Sequence, residues 1–234
     1  MTCGVALVAT LLTLGPSVGG EAGAGTITST VRYLGRPPAL EPVAPVTDHA
    51  VCGSGPRGSE ALSLSAAGAV QNAVARIVLP PMDAWAPPAR YEIDQRHCTF
   101  VPRVLIIPAG STVRISNNDG ILHNFHTTSR LNPPVNLAQP RFAKPLHVTL
   151  RHPEIVPVKC DLHGRRLMRA WIVVAGHPYY ALTDDNGRFQ LSQVPPGRHT
   201  LEIWHETLGV QMNPVTVGVT GEVSVAVLLT GRGK

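Results

Sequence analysis

At 234 residues the chain has room for one or two domains and a sizeable core. Charged residues make up 15% of it, beside 22 Gly and 22 Pro, which argues against a helical bundle and for an all-β protein with many turns. The formal charge of +5 comes with few aromatics and no nucleic-acid motif. It therefore points to an acidic protein partner or an anionic surface rather than to nucleic acid. Beyond the N-terminus no run of about 20 apolar residues predicts a membrane span.

Residues 1–25 read as an export signal. An apolar segment runs from Val5 to Leu14, and small residues follow up to Gly25. No Lys or Arg precedes the apolar segment; a disordered or membrane-anchoring tail is the other reading. Cys3 would leave with the signal. Residues 25–34 alternate and are rich in β-branched residues, so they predict a strand. Residues 35–68 are rich in Pro, Gly and Ser and predict a long loop. A second strand is predicted at 70–79, and Pro80-Pro81 and Pro87-Pro88 mark a boundary. From 90 to 175 short strands follow at 91–93, 99–102, 104–107, 111–116, 146–150, 155–159 and 170–174, with turns between them. This spacing indicates a sandwich or barrel.

Two stretches of that unit carry chemistry. One is Cys160-x2-His163-x4-Met168, followed at once by the strand-like Trp171-Ile-Val-Val174. The other is Asn117-Asn118-Asp-Gly-Ile-Leu-His123-Asn124. Together they offer a thiolate, two imidazoles and a thioether, the donor set of a blue-copper electron-transfer site. Thiolate and imidazole hold both Cu(I) and Cu(II), and a weak thioether tunes the potential. Three donors on one short loop fix the geometry, and a fourth from elsewhere in the sheet staples two strands.

The segment Phe100-x-Pro102, Pro108-Ala-Gly110, Val113-x-Ile-x-Asn-Asn118 and Leu122-His123-Asn124, taken with C-x2-H-x4-M, resembles a cupredoxin. It is most similar to plastocyanin and pseudoazurin. The resemblance covers about 85 residues and implies a Greek-key sandwich with one type 1 copper near one end. It implies His123, Cys160 and His163 as equatorial ligands and Met168 as the axial one. It further implies that Asn124 braces the Cys loop by hydrogen bonds, and that His163 lies at the surface as the exit for the electron. The loop departs from the family in Arg165 and Arg166. With Arg169 they would steer an acidic redox partner.

Three cysteines remain after the signal. With Cys160 on metal, Cys52 and Cys98 form an even pair, and a disulfide suits an oxidising compartment. Two separate thiols, or a Cys98 placed near the metal, are the other readings. His126, three residues after His123, points to the opposite strand face, toward solvent. His97, His147, His152, His177 and His205 have no ligand spacing and read as ordinary polar residues. No H-x-H pair supports a trinuclear copper centre, and no hydrolase or P-loop pattern occurs.

Beyond 176 the pattern changes. Thr183-Asp-Asp-Asn-Gly187-Arg-Phe189, then Pro195-Pro-Gly197 and an alternating stretch to Trp204, resemble the carboxypeptidase regulatory-like (transthyretin-like) β-sandwich. Asp-Asn-Gly supplies a hairpin turn on this reading. The opening strands of such a sandwich match Gly25-Thr-Ile-Thr28 and Asn72-Ala-Val-Ala75. The resemblance implies one discontinuous sandwich from residues 26–89 and 176–234, with the 90–175 cupredoxin unit inserted. A separate small C-terminal domain is the alternative.

The expected function is that of an exported, periplasmic or extracellular protein carrying single electrons on copper. The alternatives are copper capture, storage or delivery, and a non-redox scaffold for protein or glycan, for which Trp204, Tyr179 and Tyr180 offer aromatic surface. Four protein ligands leave no open position for substrate, so an enzyme is not expected.

Overall fold

The computed structural model describes residues 23–45, 47–83, 85–164 and 167–231. The predicted export signal and Arg165 and Arg166 therefore lie outside the described residues, apart from the signal's last three positions. Among the described residues no helix is long and apolar enough to cross a membrane.

The chain is nearly all β. Its strands are β1 (Gly25–Tyr33), β2 (Val74–Ile77), β3 (Arg90–Arg96), β4 (Thr99–Val101), β5 (Val104–Pro108), β6 (Thr112–Asn117), β7 (His123–Thr127) and β8 (Asn136–Gln139). There follow β9 (Leu146–Thr149), β10 (Glu154–Lys159), β11 (Arg169–Ala175), β12 (Tyr180–Leu182), β13 (Arg188–Val194), β14 (Gly197–His205), β15 (Gly209–Val217) and β16 (Glu222–Leu229). One helical turn, α1 (His49–Cys52), interrupts the long N-terminal loop.

Four sheets form two sandwiches. The first pairs β5-β11-β10-β7-β8 with β4-β3-β6-β9. Between them lies a core that includes Ile93, Phe100, Ile115, Phe125, Leu150 and Ile172. The second pairs β13-β1-β16 with β12-β2-β14-β15 around Ile27, Val31, Ile77, Leu201 and Ile203. Strand β1 is antiparallel to β13 and parallel to β16, so the first and last strands of the described residues share one sheet.

Periodicity explains most strands. Along β1 the even-spaced Ile27, Ser29 and Val31 are buried while their neighbours are half-buried or exposed, as a one-sided strand requires. Strand β11 differs: Ile172 and Val174 face the first core, whereas Val173, with Trp171, faces the second sandwich. A continuous apolar run suits a strand covered on both faces.

The contact between the sandwiches is apolar with a charged clamp. Trp171 and Trp204 meet edge to face with centroids 5.0 Å apart. Arg103, between β4 and β5, forms a fork with Glu206, using Nε to Oε1 at 2.7 Å and Nη2 to Oε2 at 3.0 Å. Both side chains are less than a tenth exposed.

Two expectations need correction. The 70–79 stretch is a strand only over Val74–Ile77, because Asn72 takes a left-handed φ of 59° that breaks the extended run. The Asp-Asn-Gly turn does not close a hairpin: β12 pairs with β2 and β13 with β1, so the turn carries the chain from one sheet to the other. There Gly187 has φ 71°, and a Cβ on it would meet the Val31 carbonyl oxygen at 2.5 Å. His177 and His205, read from the sequence only as polar residues without ligand spacing, are both buried.

Candidate metal centre

The first donor arrives on β7, which follows the Asn117–Leu122 turn. His123 is the first residue of that strand and is completely buried. The turn is built by Asn117, whose side-chain amide donates to the carbonyls of Ile121 (2.7 Å) and Gln139 (2.9 Å). Cys160 and His163 arrive on the loop that joins β10 to β11. That loop is closed at its neck by the Cys160 N–H donating to the Met168 carbonyl at 3.2 Å. Inside it the Met168 N–H donates to the Gly164 carbonyl, also at 3.2 Å. Gly164 has φ 99°, which an L side chain rarely adopts.

Three donor atoms converge. His123 Nδ1 and His163 Nδ1 lie 2.9 Å apart, and Cys160 Sγ lies 3.8 Å from the first and 3.6 Å from the second. All three residues are 0% exposed. With first-row metal bonds of about 2.0 Å to nitrogen and about 2.3 Å to thiolate, a trigonal plane sets nitrogen and sulfur about 3.7 Å apart. Both nitrogen–sulfur sides fit. The nitrogen–nitrogen side is shorter than the about 3.5 Å of a regular plane; it is a hydrogen-bond length that a bound cation replaces. The donors therefore fit copper in chemistry and in size. Met168 is also fully buried and is tied to Cys160 through the backbone.

Each imidazole gives its other nitrogen to a carboxylate. His123 Nε2 lies 2.7 Å from Asp119 Oδ2, and His163 Nε2 lies 2.9 Å from Asp48 Oδ2. Such partners fix the tautomer and raise ligand basicity. Asp119 also accepts from the backbone N–H of both His97 and Cys98. Asp48 stands before α1 in a left-handed conformation (φ 52°) and makes no cap to that helix with its side chain. Asn124 reaches the Cys loop: its Oδ1 accepts from the Asp161 N–H at 2.7 Å, and its Nδ2 donates to Asp161 Oδ2 at 3.2 Å and to Asn136 Oδ1 at 2.7 Å.

His163 is not the exposed histidine that the family resemblance implies. The segment carrying Asp48 covers it, a contact 115 residues apart in sequence. His126 lies on the other face of β7 as expected, but it is half-buried and bonded to Asp161 rather than free in solvent. Arg169 is half-buried, with its guanidinium 5.9 Å from the Trp171 ring centroid. Cys52 and Cys98 form a disulfide (Cα–Cα 5.2 Å). It lies beside the donors, because one ligand atom each from Cys52, Cys98 and His163 falls within 4.8 Å of the others. Sequence reasoning missed Asp48 and Asp119. Asp119 sat four residues before His123 and could have been noticed; nothing in the sequence marks Asp48.

No protein-family model matches the chain, and no curated protein matches it. Solved structures do. The chain is similar to a purple cupredoxin from Nitrosopumilus maritimus, at 19% identity over 36% of this chain and 99% of that one, with a TM-score of 0.30. It is similar to a reduced Cu(I) form of an amicyanin variant, at 21% identity over 43% and 98%, TM-score 0.32. A pseudoazurin from Sinorhizobium gives 21% identity over 38% and 76%, TM-score 0.32. The chemistry of the centre rests on its own donor atoms.

Electrostatics prepare the pocket for a cation. Burial pushes the Cys160 thiol up, but hydrogen bonds from His123, His163 and the backbone outweigh it and lower its pKa to about 6. Burial pushes the His123 imidazolium down, but Asp119 and Cys160 together raise it to about 9. Copper must displace the proton on His123 below about pH 9 and a second, on Cys160, below about pH 6. Considering these two groups, copper affinity should fall about tenfold per pH unit from 9 to 6 and about a hundredfold per unit below 6. A pH series of competition titrations against a chelator of known proton affinity measures both slopes; a flat profile would contradict the assignment.

Asp119→Ala tests the outer shell. It frees the His123 ring and should weaken copper binding about 10–100-fold. An unchanged affinity in the same titration would show that Asp119 does not orient His123.

Proposed function

We propose that this chain is an exported type 1 copper protein that carries single electrons between redox partners. The observation that carries the reading is the enclosed triangle of His123 Nδ1, His163 Nδ1 and Cys160 Sγ. A buried thiolate with two imidazoles suits both copper oxidation states. Met168, buried next to Cys160 in the backbone hydrogen-bond pattern, is the axial donor on this reading. Copper supplies the one-electron couple when bound. The protein's part is to hold the donors, keep water out and keep both imidazole tautomers set through Asp119 and Asp48.

Enclosure favours electron transfer over copper delivery, which needs ready exchange. The centre is closed but shallow: Asp48, hydrogen-bonded to His163, is 43% exposed. Leu122 and Leu162, the chain neighbours of His123 and His163, are exposed and offer an apolar surface for a partner's approach. Against the glycan reading, Trp204 and Tyr180 pack partly buried between the sandwiches and Tyr179 packs against the second core. We read the second sandwich as carboxypeptidase regulatory-like, on its Thr183–Phe189 motif and the sheet shared by β1 and β13. Export rests on the apolar segment from Val5 to Leu14 and suits the disulfide.

The test is Cu(II) addition followed by visible spectroscopy and voltammetry. An intense blue or purple charge-transfer band with a reversible one-electron wave is expected, with copper retained for hours against a chelator. A colourless adduct sinks the type 1 assignment. A coloured centre stripped within seconds moves the reading to copper handling.

A further inference from the structure

The Cys52–Cys98 disulfide is set against the donors from two sides. Ligand atoms of Cys52, Cys98 and His163 lie within 4.8 Å of one another, and so do those of Cys98, Asp119 and His123. Both cysteines are buried. The segments that carry them are tied to the same two carboxylates that orient the imidazoles. Cys98 sits in the two-residue turn between β3 and β4, where His97 and Cys98 both have positive φ (50° and 55°). Such a turn favours Asn-Gly, so two larger residues hold it at a cost. The Asp119 carboxylate collects both of their N–H groups while also bonding His123. Cys52 ends α1, and the residue before that helix, Asp48, gives its carboxylate to His163.

We propose that Cys52 and Cys98, once reduced, form through their two thiolates a second copper(I) site beside the first and against His163, so that the disulfide sets how much copper the chain holds. The inference rests on the copper reading of the His123–Cys160–His163 centre. As a disulfide the pair offers no thiolate; as two thiolates it offers the soft donors that copper(I) selects. The reductant is a dithiol. Its two S–H groups supply two electrons and two protons, the Cys52–Cys98 bond breaks, and the dithiol becomes a disulfide. Each cysteine then loses its proton on binding, and the copper enters and stays as Cu(I).

The experiment is an anaerobic Cu(I) titration of the full chain against a chromophoric chelator. It is run before and after treatment with a phosphine reductant that is then removed, with near-UV circular dichroism to follow the fold. One equivalent should bind before reduction and two after. Reduced Cys160→Ala should keep one equivalent, and Cys52→Ser/Cys98→Ser should hold one whatever the treatment. One equivalent in both states of the wild type overturns the proposal. So does a second equivalent that survives in Cys52→Ser/Cys98→Ser, which would belong to Cys3 or another group. Loss of the folded signal on reduction also overturns it, because the site requires the folded pocket. Failure to bind any copper before reduction would overturn the copper reading itself.

Discussion

Cys160→Ala should abolish the intense visible absorption of the copper-loaded protein. The band needs a copper–thiolate bond, and Cys160 is the free thiol among the described residues. Affinity for copper should fall by more than the about 10–100-fold that losing an outer-shell partner costs, because a direct donor is gone. The fold should survive, since alanine is smaller and the position lies in an apolar cluster with Val158, Leu167 and Met168. A second signature separates lost bonding from lost structure. The Cys160 thiolate is one of the groups that hold the His123 pKa at about 9. Removing it should lower that pKa, which NMR titration of the His123 ring can follow. A variant that keeps its colour would show that another group binds the copper, and the assignment would fail.

Arg103→Ala should give the largest loss of stability. It strips the partner from Glu206, whose side chain is 6% exposed. Breaking a buried pair costs about 3–5 kcal/mol, because one charge is left without compensation. For a chain of this size that is a fall in melting temperature of roughly 6–20 °C. The effect should come from the stranded carboxylate rather than from the lost attraction. Arg103→Met combined with Glu206→Leu should therefore recover most of the stability, as buried pairs replaced by apolar groups often do. If the single variant melts within 2 °C or so of the wild type, the clamp between the sandwiches contributes little and the Trp171–Trp204 contact holds them.

Much of the architecture was legible because burial leaves a periodic trace. Alternation exposed β1 and β14, and the unbroken Trp171–Val174 run marked β11, which the structure covers on both faces. β8 left no such trace. Its Asn-Leu-Ala-Gln sequence is too short and does not alternate, and its place depends on pairing with β7 and on Gln139, whose amide lies inside the sandwich bonded to the Ile115 carbonyl. The short α1 was equally silent, since a single turn has no period to read.

The sequence by itself determined the donor chemistry: a Cys, a His and a Met at loop spacing, and a second His behind an Asn-rich turn. Those residues are close in sequence, or sit at strand ends, where local geometry governs direction. Only the tertiary structure decided that His163 is covered, that Asp48 and Asp119 hold the two imidazoles, and that the disulfide stands against the donors. Asp48 and His163 meet across 115 positions, and Cys52 and Cys98 are 46 apart. Contacts at such separations follow from how the long N-terminal loop folds back over the sandwich, which no local spacing encodes.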